Sequence, residues 1–331
     1  MYHRLPAVLL LTLTLTFSAA AQETAGATQL LTAKRLDAPP PLSTAQALGT
    51  QPAPVLMTLH KDVHEVRLLF TVTDRQNRPV RDLKPEQVVV LDRAEPVQIT
   101  SFQRDSDLPL RLGLLIDSSA SVDRLFPAEQ RAAREFLGRV LRPDQDRALV
   151  MTFTAHARMQ QEETGDLQKL TLAIDATMPE VGMTALYDAI YEVCTKRLLP
   201  NEAQMRRAIV LLSDGEDNFS LRSVIEAAEA AQRAEIALYA ISIHKGQRTD
   251  GDIILEQLAG ATGGLAFVIS KPEQYNQAFT AIEEQLRSQY AVTYKVPGVQ
   301  RNGAFYRVRV HITDAGEFKV HARAGYWAPR R

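Results

Sequence analysis

Between residues 108 and 288, apolar runs of strand length alternate with longer stretches of helical period. This alternation constrains the fold more than any other feature. Residues 112–116, 148–153, 208–212, 236–241 and 265–269 are nearly continuous in aliphatic and other apolar side chains. Between and after them, residues 127–140, 186–198, 224–233, 253–261 and 272–287 place apolar side chains at helical spacing. A strand without polar alternation is covered on both faces, and strands separated by helices run parallel. The middle of the chain therefore predicts an α/β fold with a Rossmann-like, doubly wound, mostly parallel central sheet. Such sheets hold ligands at the carboxyl ends of their strands.

The flanks read differently. Residues 66–72, 88–91 and 97–102 have strand character, as do 290–294, 305–312 and 318–322 towards the C-terminus. Asn302-Gly303 and Asp314 to Gly316 supply turn chemistry between the last three. Three short strands make a poor core alone. The expectation is one small β-sandwich, with an N-terminal segment (55–107) packing on a C-terminal one (289–328) around an inserted domain at 108–288. Two unrelated β appendages are the alternative.

Residues 1–54 carry no strand or helix signal of this kind. His3 and Arg4 precede an apolar run from residue 5 to residue 17, and Ala19 and Ala21 give the small-x-small pattern of a signal-peptidase site. The run is shorter than the roughly 20 residues that span a bilayer. A cleaved signal peptide over 1–21 is expected, with a membrane anchor as the alternative. Residues 22–54, with Pro39-Pro40-Pro41 at their middle, read as a flexible linker. The mature chain is expected to be exported, to the periplasm or beyond, with no stable membrane span. The formal net charge of −1, with basic residues scattered along the chain, excludes the basic face that nucleic acid requires. One cysteine, Cys194, excludes an internal disulfide framework and a cysteine-built zinc site. It falls in an apolar-patterned helix and reads as buried filler.

Three expected loops at the carboxyl edge of the sheet carry oxygen donors. One holds Asp117, Ser119 and Ser121, a second holds Thr184, and a third holds Asp214 within Ser213-Asp214-Gly215. Each alone reads as a helix cap or a turn. Together, without His or Cys, they suit a small hard cation that keeps some of its water: Mg²⁺, with Mn²⁺ or Ca²⁺ as alternatives. Glu216 and Asp217 lie just beyond and read as solvated cap residues.

The pattern Asp117-x-Ser119-x-Ser121, then Thr184, then Asp214 resembles the metal-ion-dependent adhesion site of von Willebrand factor A and integrin I-type domains. Asp117 and Thr184 are 67 residues apart, and Thr184 and Asp214 are 30 apart, within that family's habit. The resemblance covers about 180 residues. More softly, the flanks resemble bacterial von Willebrand factor A-related proteins, through residues 73–80 and Arg323-x-Gly325-Tyr326. It implies that Ser119, Ser121 and Thr184 contact the metal through hydroxyls and that Asp117 and Asp214 act directly or through water. It also implies a protein partner that supplies an Asp or Glu to the open position. Met183 departs from the small residue frequent before the threonine.

No catalytic role is expected. No histidine is expected near the three loops, and no nucleophile elbow, phosphate-binding glycine loop or dinucleotide fingerprint occurs. A metal-dependent hydrolase and a structural envelope component with a purely stabilising metal are the competing readings. Trp327, the single tryptophan, is expected to pack on the β appendage.

Overall fold

The computed structural model describes residues 64–330, apart from 77, 105–107, 120–125, 200–204, 244–246, 297–300 and 314–315. The expected signal peptide, the linker and Ser121 lie outside the described residues.

The central sheet has six strands: β5 (Leu110–Asp117), β6 (Arg147–Phe153), β7 (Ala157–Thr164), β8 (Arg206–Leu212), β9 (Ile236–Ile243) and β10 (Ala266–Ile269). Their order is β10-β9-β8-β5-β6-β7, and every pairing is parallel except the β6–β7 hairpin. Among the described residues the α-helices are α1 (Phe126–Val140), α2 (Leu167–Asp175), α3 (Leu186–Glu192), α4 (Val224–Arg233), α5 (Asp250–Thr262) and α6 (Tyr275–Arg287). Helices α1, α2 and α6 cover one face, where Phe136, Ile174 and Phe279 meet Leu112, Leu114 and Ile116 of β5. On the other face α3, α4 and α5 bring Ile190, Ala231 and Leu258 onto Leu115, Ile209 and Leu211. Successive side chains of β5 thus enter opposite cores, which is why its sequence shows no polar alternation.

The chain leaves β5 towards β6 on one side and later builds β8, β9 and β10 on the other. The order therefore reverses between β5 and β8, the switch point at which open sheets of this kind take ligands at the carboxyl ends of their strands. That switch point positions the site.

Two stretches of the central domain differ from the sequence expectation. Residues 157–175 form β7 and α2, neither of which was predicted. β7 is an antiparallel edge strand whose inner face has only Ala157 and Met159 before turning to Gln161 and Glu163, and α2 carries Leu170, Ala173 and Ile174 at helical spacing over only nine residues, too short a run to stand out. The helix expected over 186–198 is α3 followed by a π turn, Val193–Arg197, closed by the Leu198 amide on the Val193 carbonyl at 2.9 Å. Gly113 of β5 leaves room for it, since a Cβ there would meet Val193 and Leu198 at 3.4 Å.

Two antiparallel four-stranded sheets complete the fold. The first has the order β13-β1-β11-β4, from Lys319–Ala322 (β13), His64–Thr73 (β1), Tyr290–Val296 (β11) and Ile99–Arg104 (β4). The second has the order β14-β12-β2-β3, from Gly325–Trp327 (β14), Phe305–Ile312 (β12), Val88–Asp92 (β2) and Glu95–Pro96 (β3). Each sheet draws strands from both flanks, and one core joins them, with Leu68, Phe70, Val90, Val292, Tyr294 and Val310 inside it. Trp327 packs on Phe305, with ring centroids 5.1 Å apart, and its indole N–H donates to Gln232 of α4 at 2.9 Å. The tryptophan therefore ties the sandwich to the α/β domain as well as packing on the appendage.

Candidate metal site

Asp117 ends β5 and is fully buried. Its Oδ1 accepts the Ser119 amide at 2.9 Å and its Oδ2 accepts the Ser213 hydroxyl at 2.8 Å. Ser213 follows β8, so one carboxylate bridges the two strands on either side of the switch point. In the sequence Ser213 stands only as the residue before Asp214-Gly215; nothing local shows that its hydroxyl reaches a residue 96 positions earlier. Burial is the largest influence on Asp117 and pushes its carboxyl up to about 6, opposed by the bonds from Ser119 and Ser213, with the Asp214 charge adding to the rise.

The second loop is stitched to the first. The Glu180 amide donates to the Ser118 carbonyl at 2.7 Å, and Ser119 and Glu180 form an isolated bridge. The Ala185 amide donates to the Thr154 carbonyl at 2.7 Å, which anchors the loop to the end of β6. Thr184 is buried. The N-cap of α3 is Ala185, without a side-chain cap, so Thr184 does not serve as the cap its sequence position allowed.

The third loop closes around the second. The amides of Asn218 and Phe219 both donate to the Thr184 carbonyl at 3.0 Å, and the Thr184 amide donates to Asn218 Oδ1 at 2.8 Å. Asp217 Oδ2 accepts the Tyr187 amide at 3.2 Å, and the Ser220 hydroxyl accepts the Asp188 amide at 3.1 Å. Orphan amides in the first turn of α3 are therefore capped from another loop. Asp217 is thus a cap, for a helix it does not precede. Glu216 is exposed, in keeping with a solvated side chain. Asp214 Oδ1 accepts the Glu216 amide at 3.1 Å. Gly215 has φ +81°, and a Cβ there would lie 2.3 Å from the Gly251 carbonyl oxygen; a Cβ on Gly251 would lie 2.2 Å from that of Asp214. Only a pair of glycines lets this loop rest on the first turn of α5.

Asp117, Ser119, Thr184 and Asp214 are thus carried by three interlocked loops at one sheet edge. The donors are carboxylate and hydroxyl oxygens, and among the described residues no group of three or more His, Cys, Asp and Glu gathers. A buried carboxylate held by the Ser119 amide and hydroxyl and the Ser213 hydroxyl, with a second carboxylate raising its proton affinity, is a set that a hard cation fits.

One expectation needs correction. A histidine does lie near the loops: His156 follows β6 and packs edge-on against Phe219, with ring centroids 6.2 Å apart. The turn that brings it there depends on the unpredicted β6–β7 hairpin. Cys194 is buried, and burial pushes its thiol well above its ordinary range.

The von Willebrand factor type A domain family matches residues 112–281, just over half of the 331-residue chain. The chain belongs to the von Willebrand factor type A domain family. The matched residues span the central sheet from β5 to β10 and most of α6. No curated protein matches the chain. Similar solved structures include a von Willebrand factor type A protein from Catenulispora acidiphila, at 14% identity and TM-score 0.48, covering 81% of this chain and 74% of that one. They also include proximal thread matrix protein 1 from the mussel byssus with a zinc-occupied MIDAS motif, at 17% identity and TM-score 0.48, covering 60% and 49%. A third is the conserved hypothetical protein BatB from Bacteroides thetaiotaomicron, at 17% identity and TM-score 0.44, covering 54% and 100%. The chain spans about half the length of the byssus protein. No helix among the described residues is long and apolar enough to cross a membrane.

Proposed function

We propose that this von Willebrand A domain binds one divalent cation, Mg²⁺ by its donor chemistry, through Asp117, Ser119, Ser121, Thr184 and Asp214. Through that cation it binds a carboxylate of a partner protein. The observation that supports this most is the buried Asp117 carboxylate, shared between the Ser119 amide and the Ser213 hydroxyl with no basic side chain among its described hydrogen-bond and ion-pair partners. Hydroxyl ligands compensate little of the cation's charge, so a bound cation stays electrophilic towards one more carboxylate. The chain reads as a binding module rather than an enzyme: His156, the histidine beside the loops, is turned edge-on to the Phe219 ring.

The proposal includes an exported protein, with a cleaved signal over 1–21, a linker over 22–54, β segments at 55–107 and 289–328, and the cation-binding domain at 108–288. The test is a partner pull-down with the full chain, read by mass spectrometry in Mg²⁺ and in chelator. The expected result is a partner captured in Mg²⁺, released by chelator and absent with Asp117→Ala, while circular dichroism shows the variant folded. A partner held equally in both conditions, and by the variant, contradicts the proposal.

A further inference from the structure

The face around the candidate site is apolar to a degree that the fold does not require. On the second loop Val181 is 96% and Met183 47% exposed, and on the third Phe219 is 45% exposed. Exposed single hydrophobics are ordinary, but a group of them at one place marks an interaction surface. These three are held at one place. Met183 and Phe219 flank Thr184 from either side, because the Phe219 amide is bonded to the Thr184 carbonyl. Phe219 is further supported by the edge-on ring of His156. Val181 follows Glu180, whose amide is fixed to the Ser118 carbonyl beside Ser119. The three residues thus stand on the two interlocked loops that also carry Thr184 and Asp214, with their backbones fixed by these bonds.

The charges on the same rim say what kind of partner fits. Arg158 pairs with Glu180 at 2.6 Å and Arg222 with Glu226 at 3.1 Å, so these two rim cations are already compensated. Asp188 is occupied by the amides of Leu221 and Arg222, each at 3.0 Å. Glu216, beside Asp214, is exposed and repels an anion, so among the described residues attraction for an anion comes from a bound cation, and Val181, Met183 and Phe219 offer apolar contact beside it. Interfaces of this form have a charge-poor core rich in aromatic residues and methionine.

We infer that Val181, Met183 and Phe219 form an apolar collar that selects protein segments whose Asp or Glu is flanked by large apolar side chains. This rests on the cation-bridged reading above and adds specificity to it. Met183, which departs from the small residue common in its family position, becomes a selecting side chain.

The test uses the full chain and three fluorescent peptides read by anisotropy in saturating Mg²⁺. One peptide has a central glutamate flanked by leucine and phenylalanine, the second flanks it with serines, and the third replaces the glutamate of the first with glutamine. The apolar-flanked glutamate peptide is expected to bind about tenfold tighter than the serine-flanked one. That ratio, which is normalised to the cation site within each protein, is expected to fall to about one in the M183S/F219S variant. It is expected to fall part-way in Val181→Ser, a position too exposed to disturb folding. Equal Mg²⁺-dependent binding of both glutamate peptides by the unaltered chain overturns the collar and leaves the cation-bridged reading standing. Equal binding of the glutamine peptide, or binding that survives chelator, overturns that underlying reading, as does no binding of any peptide. Mg²⁺-dependent dimerisation lost in M183S/F219S, seen by sedimentation, assigns the collar to a second copy of the chain and overturns the choice of partner.

Discussion

Glu129 sits inside α1 with one carboxylate oxygen accepting the Tyr275 hydroxyl at 3.1 Å and the other without a partner among the described residues. Burial pushes its carboxyl up to about 8, opposed by the Tyr275 bond, with the charges of Asp117 and Asp214 adding to the rise. The folded chain therefore keeps this proton to about pH 8, while the unfolded chain releases it near 4.5. Between those values the unfolded state binds fewer protons, so stability falls as pH rises through the window. Glu129→Gln is expected to flatten this slope and to raise stability at about pH 8 by about 2–4 kcal/mol, measured by urea unfolding without divalent ions. An unchanged slope contradicts the assignment. Gly215→Ala places a Cβ against the Gly251 carbonyl in a left-handed conformation, and is expected to cost about 1–3 kcal/mol and to weaken cation binding. Calorimetric unfolding and Mg²⁺ titration of that variant check both parts. At this scale the placement of Asp117, Ser119, Thr184 and Asp214 on loops at one sheet edge was legible because short patterns mark them. Ser213, Asp188, Glu129 and His156 were not, because what matters about each is a partner distant in the chain.

The short α3 shows how an element here depends on its surroundings. It has seven residues and no cap of its own, and its first amides are met by Asp217 and Ser220 from the loop after β8. In return, Asp188 in its first turn accepts the Leu221 and Arg222 amides. Asp188→Ala leaves those two amides to solvent and is expected to cost about 1–2 kcal/mol. Faster hydrogen exchange confined to residues 217–222 is the accompanying signature, and exchange unchanged there contradicts the account. Elements with a strong period were legible: α4 has the bounds expected, and its Ser223–Glu226 capping box is a local signal. β7 and α2 were not, since a largely polar edge strand looks like a loop until a neighbouring strand pairs with it, and a nine-residue helix is too short for its period to stand out.

At the scale of the molecule, the α/β domain interrupts a sandwich that closes only when both flanks are present. Asp92 of β2 is buried and accepts the hydroxyls of Tyr294 at 3.3 Å and Tyr326 at 2.9 Å, joining the N-terminal flank to β11 and β14. Asp92→Ala strands two tyrosine hydroxyls and is expected to cost about 2–4 kcal/mol in chemical unfolding. Arg323, between β13 and β14, donates to the Arg67 carbonyl at 2.6 Å and pairs with Glu235 beyond α4 at 3.3 Å, so the sandwich is also bonded to the domain it surrounds. The alternating pattern of the flank strands made the sandwich legible. The tyrosine–aspartate tie, which depends on tertiary placement, was not. The most direct measurement of the central claim is calorimetric titration of the full chain with Mg²⁺, beside Asp117→Ala and Thr184→Ala. The account predicts one saturable site in the unaltered chain and its loss in both variants while they remain folded. Absence of Mg²⁺ binding by the unaltered chain, or equal binding by all three proteins, contradicts it.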